Sequence, residues 1–141
     1  MEADSVETPT LDTETARIRG IMNKLAPGYD RQISFYEKLL FGGAREWACS
    51  RAHGDVLEIA IGTGRNLPYY PRDVTLTGIE LSPAMLDLAK ARAQQLGLEI
   101  HLRLGDAQAL PFPADNFDAV VCTLALCSIP DDRKAVQGVR R

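Results

Sequence analysis

The stretch Val56–Tyr70, VLEIAIGTGRNLPYY, decides the fold. An apolar run ends in two glycines, Gly62 and Gly64, which only Thr63 separates, and the chain then becomes polar. Each glycine in a helix interior would cost about 1 kcal/mol relative to alanine, so the pattern favours a strand that ends in a tight turn. Glycine there lets the backbone approach a ligand where a Cβ atom would collide. The G-x-G pair alone is weak evidence for a site, because ordinary tight turns use the same residues.

The segments that follow this turn alternate short apolar runs with helical patterns. Strands are predicted over residues 56–60 and 74–79, and SPAMLDLAKARAQQLG is a predicted helix. Ser82 stands at the N-cap of that helix, Pro83 at its first position and Gly97 after its last turn. Each of these residue types is favoured at that position, so the bounds of the helix are well marked.

Three further elements complete the pattern. LEIHLRLGD is a predicted strand, FDAVVCTLAL is a buried strand after the loop ALPFPADN, and a last helix opens at Asp131. With a helix also expected between the first two strands, the order β-α-β-α-β-loop-β-α predicts a doubly wound parallel sheet. FDAVVCTLAL is apolar on both faces, as a central strand is. At the edge of a sheet such a strand leaves backbone groups unpaired, so we expect the chain to self-associate through it.

The first 52 residues have a different character. Residues 1–12 are polar and acidic and predict a disordered lead. Two helices are predicted, over 13–24 (ending before APGYD) and over about 32–51 (with a break at Gly42-Gly43). Together they make a helical cap over 13–52, ahead of an incomplete domain over 53–141. Five aromatic residues of this region either line an apolar acceptor pocket or form the packing face of the helices: Tyr29, Phe35, Tyr36, Phe41 and Trp47.

The composition excludes several classes of function. The chain has 141 residues and a formal net charge of -3, which fits one globular domain and argues against general nucleic-acid binding. No apolar segment resembles a signal peptide or a membrane span, so a cytoplasmic protein is expected. Cys122 and Cys127 lie in an apolar stretch and are predicted to be buried free thiols. Neither the cysteine spacing nor the two isolated histidines fit a metal site.

Two carboxylates follow the glycine turn, at the ends of the next two predicted strands. Glu80 comes 18 positions after Gly62, close to the offset of roughly 20 at which an acidic residue binds a ribose. Asp106, in GDAQALPF, can accept from an adenine amino group, and the N–H of Ala107 can donate to a ring nitrogen. Because the carboxyl ends of parallel strands meet at one edge of a sheet, these groups predict a nucleoside site there.

LEIAIGTG, GIELSPAMLDLAKARA, GDAQALPFPADNFDAVV and CSIPD together resemble the class I S-adenosylmethionine-dependent methyltransferases, over about residues 25–141. The likeness is strongest to the small-molecule, lipid and quinone branch. It implies a Rossmann-like fold whose last strands this chain lacks, S-adenosylmethionine as cofactor, and methyl transfer to a small-molecule, lipid or quinone-like acceptor. It also implies the cofactor-binding residues: Glu58, Ala60, Gly62 and Gly64 around the methionine part, Glu80 at the ribose hydroxyls, Leu81 and Met85 beside the adenine, Asp106 and Ala107 at the adenine edge, Thr123 near the sulfonium, and Tyr29 of the cap motif Tyr29-Asp30.

One residue departs from the pattern of that family. The family usually has glycine where this chain has Ala60, whose methyl group crowds the cofactor slightly. No catalytic base and no metal ligand is assigned. Two alternatives stay open: a non-catalytic fragment that binds cofactor or a partner, and an NAD-binding Rossmann domain. Against the second, Leu67 occupies the third glycine position of G-x-G-x-x-G.

Overall fold

The computed structural model describes residues 11–140, so the predicted disordered lead lies almost wholly outside the described residues. Within these residues four strands form one sheet: β1 (Asp55–Ile59), β2 (Thr75–Glu80), β3 (His101–Leu104) and β4 (Ala119–Val121). All are parallel, in the order β3-β2-β1-β4. The chain steps outward from β1 to β3 and then returns to the other side of β1. This reversal creates the crevice in which doubly wound sheets bind their ligands, and it confirms the predicted fold class.

In the described part of the chain four helices accompany the sheet: α1 (Thr13–Leu40), α2 (Ala44–Cys49), α3 (Pro83–Leu96) and α4 (Asp132–Val139). The predicted bounds of α3 are confirmed, because the Ser82 side chain accepts the Met85 N–H at 3.2 Å and Gly97 closes the helix at a φ of +65°. No helix between residues 11 and 140 is long and apolar enough to cross a bilayer.

Two apolar clusters hold these helices to the sheet. Val56 and Leu57 are both buried, and they belong to different clusters because successive strand residues point to opposite faces. The first cluster includes residues of α2, α3 and the loop after β1, and the second includes residues of α4 and the loop after β3. The sheet is therefore covered on both faces, as parallel sheets require.

The helix predicted to end at Lys24 instead continues through Pro27 to Leu40, so the prediction of two helices over this stretch was wrong. A proline inside a helix removes one hydrogen bond and costs about 3 kcal/mol. Contacts on both sides of Pro27 offset that cost. The Asn23 side chain accepts the Ser82 hydroxyl at 2.5 Å, and Asp30 accepts the Thr63 hydroxyl at 2.5 Å. The expected break at Gly42-Gly43 does occur, between α1 and α2.

Other elements also differ from the predictions. The helix expected between β1 and β2 is only one 3₁₀ turn, Leu67–Tyr69, and FDAVVCTLAL forms just the three-residue strand β4. That turn contains Pro68, and its first residue, Leu67, packs into the core. A short loop then connects the turn to β2. The three cysteines are free, but Cys127 is exposed and Cys122 half-buried, so the expectation of two buried thiols was wrong for Cys127.

Candidate functional site

A cavity lies at the carboxyl ends of β1, β2 and β3, under the inner face of α1. It encloses about 700 Å³ together with its solvent-open mouth. Eight of the eleven cofactor-binding residues predicted from the sequence line it: Tyr29, Ala60, Gly62, Glu80, Leu81, Met85, Asp106 and Ala107.

The glycine turn forms one wall of this cavity. Ala60 and Gly62 both have positive φ, at +53° and +60°, so the backbone after β1 is left-handed at alternate residues. Alanine is strained in that region by roughly 1–2 kcal/mol, whereas glycine adopts it freely. The turn brings the Gly62 N–H to 2.8 Å from Oε2 of Glu80. The glycine and the acid that the sequence separates by 18 positions are thus in direct contact.

Glu80 is held by backbone groups alone. Oε2 accepts the Gly62 N–H, and Oε1 accepts the Ser82 N–H at 3.0 Å. An ionised carboxylate offers about four lone-pair sites, so one on each oxygen is still free. Burial raises the pKa of Glu80, although these backbone N–H groups oppose the shift. The fixed carboxylate at the cavity wall therefore fits a ligand with two neighbouring hydroxyl donors, such as a ribose.

Asp106 lies across the cavity from the glycine turn and is oriented by a residue that the sequence did not reveal. Oδ1 accepts both the backbone N–H of Gln108, at 2.9 Å, and its side-chain amide, at 3.1 Å. The same amide reaches the Thr15 hydroxyl at 3.1 Å, and its oxygen accepts the Asp131 N–H at 2.9 Å. Gln108 therefore ties the loop after β3 to the starts of α1 and α4.

Glu58 does not line the cavity and belongs to a buried polar cluster. Oε1 accepts the Asn66 amide at 2.6 Å, and Oε2 accepts the Tyr70 hydroxyl at 2.8 Å. Burial raises the pKa of Glu58 to about 7, against the hydrogen bonds from Tyr70 and Asn66. Asn66 also donates to the Thr123 hydroxyl at 2.9 Å, so Thr123 belongs to this cluster and does not line the cavity.

Residues 56–141 match the family model described as a methyltransferase domain. This chain belongs to that family. Its members depend on S-adenosylmethionine, as the resemblance in the sequence implied. The cavity at the carboxyl ends of the strands is thus the candidate cofactor site of a methyltransferase domain.

Two curated relatives and one solved structure show the breadth of the family. The chain is 39% identical over 90 residues to a phosphatidylethanolamine N-methyltransferase from Cereibacter sphaeroides, covering 62% of this chain and 44% of that protein. It is 32% identical over 135 residues to a 2-phytyl-1,4-naphtoquinone methyltransferase from Synechococcus elongatus, covering 88% and 58%. The structure of YcgJ from Bacillus subtilis superposes with a TM-score of 0.62 at 34% identity, covering 71% and 44%. This methyltransferase domain therefore spans about half the length of these relatives.

Gly64 is the third predicted residue that does not line the cavity. A Cβ atom there would lie 2.9 Å from Cδ1 of Leu67 and 3.3 Å from Cα of Ala89. Real Cβ atoms essentially never come within 3.0 Å of another heavy atom, and a contact of 3.3 Å is already tight. The absence of a side chain at Gly64 allows the turn to pack against α3, so its role in this domain is close packing.

Charged residues that the sequence reasoning missed attach α1 to the glycine turn. Arg65 pairs with Glu37 at 3.0 Å and with Asp30 at 3.6 Å. Arg92 of α3 also pairs with Asp30, and Arg45 of α2 with Glu37. Burial raises the pKa of Glu37, but the hydrogen bonds from the two arginines outweigh it and hold that pKa below its ordinary value. The sequence gave no signal of these contacts, which join residues 8 to 62 positions apart.

Of the five aromatic residues of the predicted cap, only Tyr29 lines the cavity. The others are exposed: Phe35, Tyr36, Phe41 and Trp47. None of these four lines the cavity at the carboxyl ends of the strands, and none is buried. The two histidines are also exposed and away from the cavity, and no cluster that could hold a metal ion occurs among residues 11–140.

Proposed function

We propose that this domain binds S-adenosylmethionine at the carboxyl ends of its strands and transfers the methyl group to a small-molecule, lipid or quinone-like acceptor. One observation supports this proposal above the others. Glu80, at the end of β2, and Asp106, in the loop after the neighbouring strand β3, line one cavity together with the glycine turn. A nucleoside with an attached amino acid offers ribose hydroxyls to Glu80, a base amino group to Asp106 and an amino-acid part to the glycine turn. A simple sugar or a nucleotide base alone would use only some of these groups.

The residues have distinct roles in this proposal. Glu80 accepts the two ribose hydroxyls through its free lone pairs, and Asp106 and Ala107 bind the adenine edge. Leu81 and Met85 supply the apolar wall beside the base, and the backbone at Gly62 takes the methionine part. The remaining predicted residues, Glu58, Gly64 and Thr123, act through the fold, and Tyr29 closes the cavity from α1.

The cofactor supplies a methyl group that its sulfonium has already activated. The domain then has to hold the acceptor atom in line with that methyl group, and positioning can provide much of the acceleration. Lipid and quinone acceptors are proposed because the two curated relatives are named for such substrates.

Two further properties are proposed for the chain. The three free cysteines favour a reducing, cytoplasmic location. The edge of β4, which pairs only with β1 among the described residues, would allow two copies of the chain to associate.

Titration calorimetry with S-adenosylhomocysteine tests the cofactor site. The wild-type chain should bind it, and Glu80→Gln or Asp106→Asn should each weaken binding by about 10- to 100-fold, as expected for the loss of a charged hydrogen-bond acceptor. Glu99→Gln, at an exposed position, is the matched control and should bind like the wild type. A folded chain that ignores both S-adenosylmethionine and S-adenosylhomocysteine at millimolar concentration, or that binds NAD instead, contradicts the proposal.

Transfer is tested with S-adenosylmethionine that carries a labelled methyl group and a panel of phosphatidylethanolamine, quinols and small amines. Label recovered in one of these acceptors supports the enzyme function. Tight cofactor binding without transfer to any of them would favour the non-catalytic alternative.

A further inference from the structure

The outer face of α1 carries an apolar stripe that nothing in the described chain covers. Its members are large and exposed: Ile21, Leu25, Phe35, Tyr36 and Leu39. At 100° per residue these positions fall within an arc of about 100°. Asp30 and Glu37, which bind arginines, lie on the opposite face of the same helix. Met22 and Tyr29, which line the cavity, lie between that face and the stripe. The exposed stripe therefore adjoins the side of α1 that lines the cavity.

A row of basic residues runs beside this stripe. Arg17, Lys24, Arg31 and Lys38 follow one another at intervals of seven residues, and all four are exposed. A spacing of seven drifts by only about 20° per step on an α-helix, so the four side chains form one line along the helix. None of them takes part in an ion pair among residues 11–140. Glu14 is the one acidic residue of α1 that is not bound to an arginine.

We propose that the outer face of α1 docks on an anionic lipid surface. A helix in that position buries its apolar side about 5–10 Å into the headgroup region and keeps Lys and Arg at the level of the phosphates. The parallel apolar stripe and basic row provide both contacts along the length of α1. The net charge of the chain is -3, so the positive row is a local feature and not a general excess of basic residues.

Two other partners fit this face less well. A second copy of the chain would bring one basic row against another, and like charges in contact oppose such a pair. A nucleic acid would satisfy the basic row through its phosphates but would leave Ile21, Leu25 and Leu39 without apolar contacts. A lipid surface satisfies both features.

Vesicle flotation tests the proposal with the full chain. The wild type should bind vesicles of equal parts phosphatidylglycerol and phosphatidylcholine, bind pure phosphatidylcholine much less, and dissociate from the anionic vesicles as salt is raised. Each basic residue near such a surface contributes about a fivefold factor, so R17Q/K24Q/R31Q/K38Q should lower the partition coefficient more than a hundredfold. The matched control R72Q/K90Q/R133Q/R140Q removes the same charge from exposed positions elsewhere and should bind nearly as the wild type.

The apolar contribution is tested separately. F35S/L39S should reduce vesicle binding at least tenfold, whereas L88S/V136S, at exposed positions of α3 and α4, should not. All variants are compared at equal folded fraction, measured by circular dichroism. Three results would overturn the proposal: wild-type protein that shows no preference for anionic vesicles, control variants that lose as much as the α1 variants, or α1 variants that change only self-association or binding to duplex DNA.

Discussion

Glu58 and Glu80 are both buried carboxylates near the carboxyl ends of adjacent strands, but they are satisfied in different ways. Glu58 is 2% exposed and binds two side chains, Asn66 and Tyr70. Glu80 is 6% exposed and binds only backbone N–H groups. The carboxylate of Glu58 is bound by side chains and does not line the cavity. The carboxylate of Glu80 is bound by the backbone and remains accessible from the cavity. The comparison suggests that the first acid maintains the fold and the second meets the ligand.

The largest expected effect is on stability, in Glu58→Ala. The variant removes the acceptor of the Tyr70 hydroxyl and one of the two acceptors of the Asn66 amide, which keeps its hydrogen bond to Thr123. We expect a loss of about 3 kcal/mol in the free energy of unfolding, measured by urea denaturation. Glu99→Ala, which removes an exposed carboxylate, should change it by less than about 0.5 kcal/mol. Equal effects of the two substitutions would show that the buried cluster does not stabilise the fold.

Glu58 should also make stability depend on pH. Its pKa of about 7 in the folded protein lies above the ordinary value of 4.5, so between these values the folded state holds a proton that the unfolded state has released. The free energy of unfolding should therefore fall as pH rises from 4.5 to 7, by roughly 2–3 kcal/mol from this group. Glu58→Gln should flatten the profile across this range. A variant profile as steep as that of the wild type would place the proton elsewhere.

Glu80 should show the opposite balance between stability and binding. In Glu80→Gln, affinity for S-adenosylhomocysteine should fall about 10- to 100-fold while the free energy of unfolding falls by only about 1–2 kcal/mol. Calorimetry and urea denaturation on the same preparation separate the two quantities. If Glu58→Gln lowered affinity more than Glu80→Gln did, the division of roles between the two acids would be reversed.

The smallest effect is expected at Ala60, which lies in the turn beside Glu80. Ala60→Gly removes the strain of a positive φ and should stabilise the fold by about 1 kcal/mol, seen as a higher melting temperature. Ala91→Gly, in the interior of α3 and exposed, should instead cost about 1 kcal/mol. A melting temperature that falls in both variants would show that the methyl group of Ala60 packs favourably enough to offset its backbone strain.

The sheet, α3 and the contents of the cavity wall were predictable because their signals are local. Ser82 and Gly97 mark the ends of α3 by their own chemistry, and the offset from Gly62 to Glu80 follows from the length of one strand–turn–strand unit. Residues near the ends of parallel strands meet at one edge, so Asp106 could also be placed there from its position in the chain.

The rest depends on contacts between distant parts of the chain. Pro27 predicts a helix end by its local geometry, but contacts at Asn23 and Asp30 on either side of it keep the helix continuous. Gln108 looks like any polar loop residue until the fold brings it to Thr15 and Asp131. The sequence pattern places Glu58 and Thr123 near the ends of their strands but does not show which side chains surround them. It therefore could not show that hydrogen bonds with Asn66 hold both residues in a cluster that does not line the cavity.

The hydrogen bond from Gly62 to Glu80 joins two ends of the candidate site, since one residue faces the amino-acid part of the proposed cofactor and the other its sugar. Occupancy at one end should then pre-order the other. Adenosine and methionine supplied as separate molecules should each bind more tightly in the presence of the other, by the same factor in both directions. Such reciprocal cooperativity between two fragments would arise from a single backbone amide.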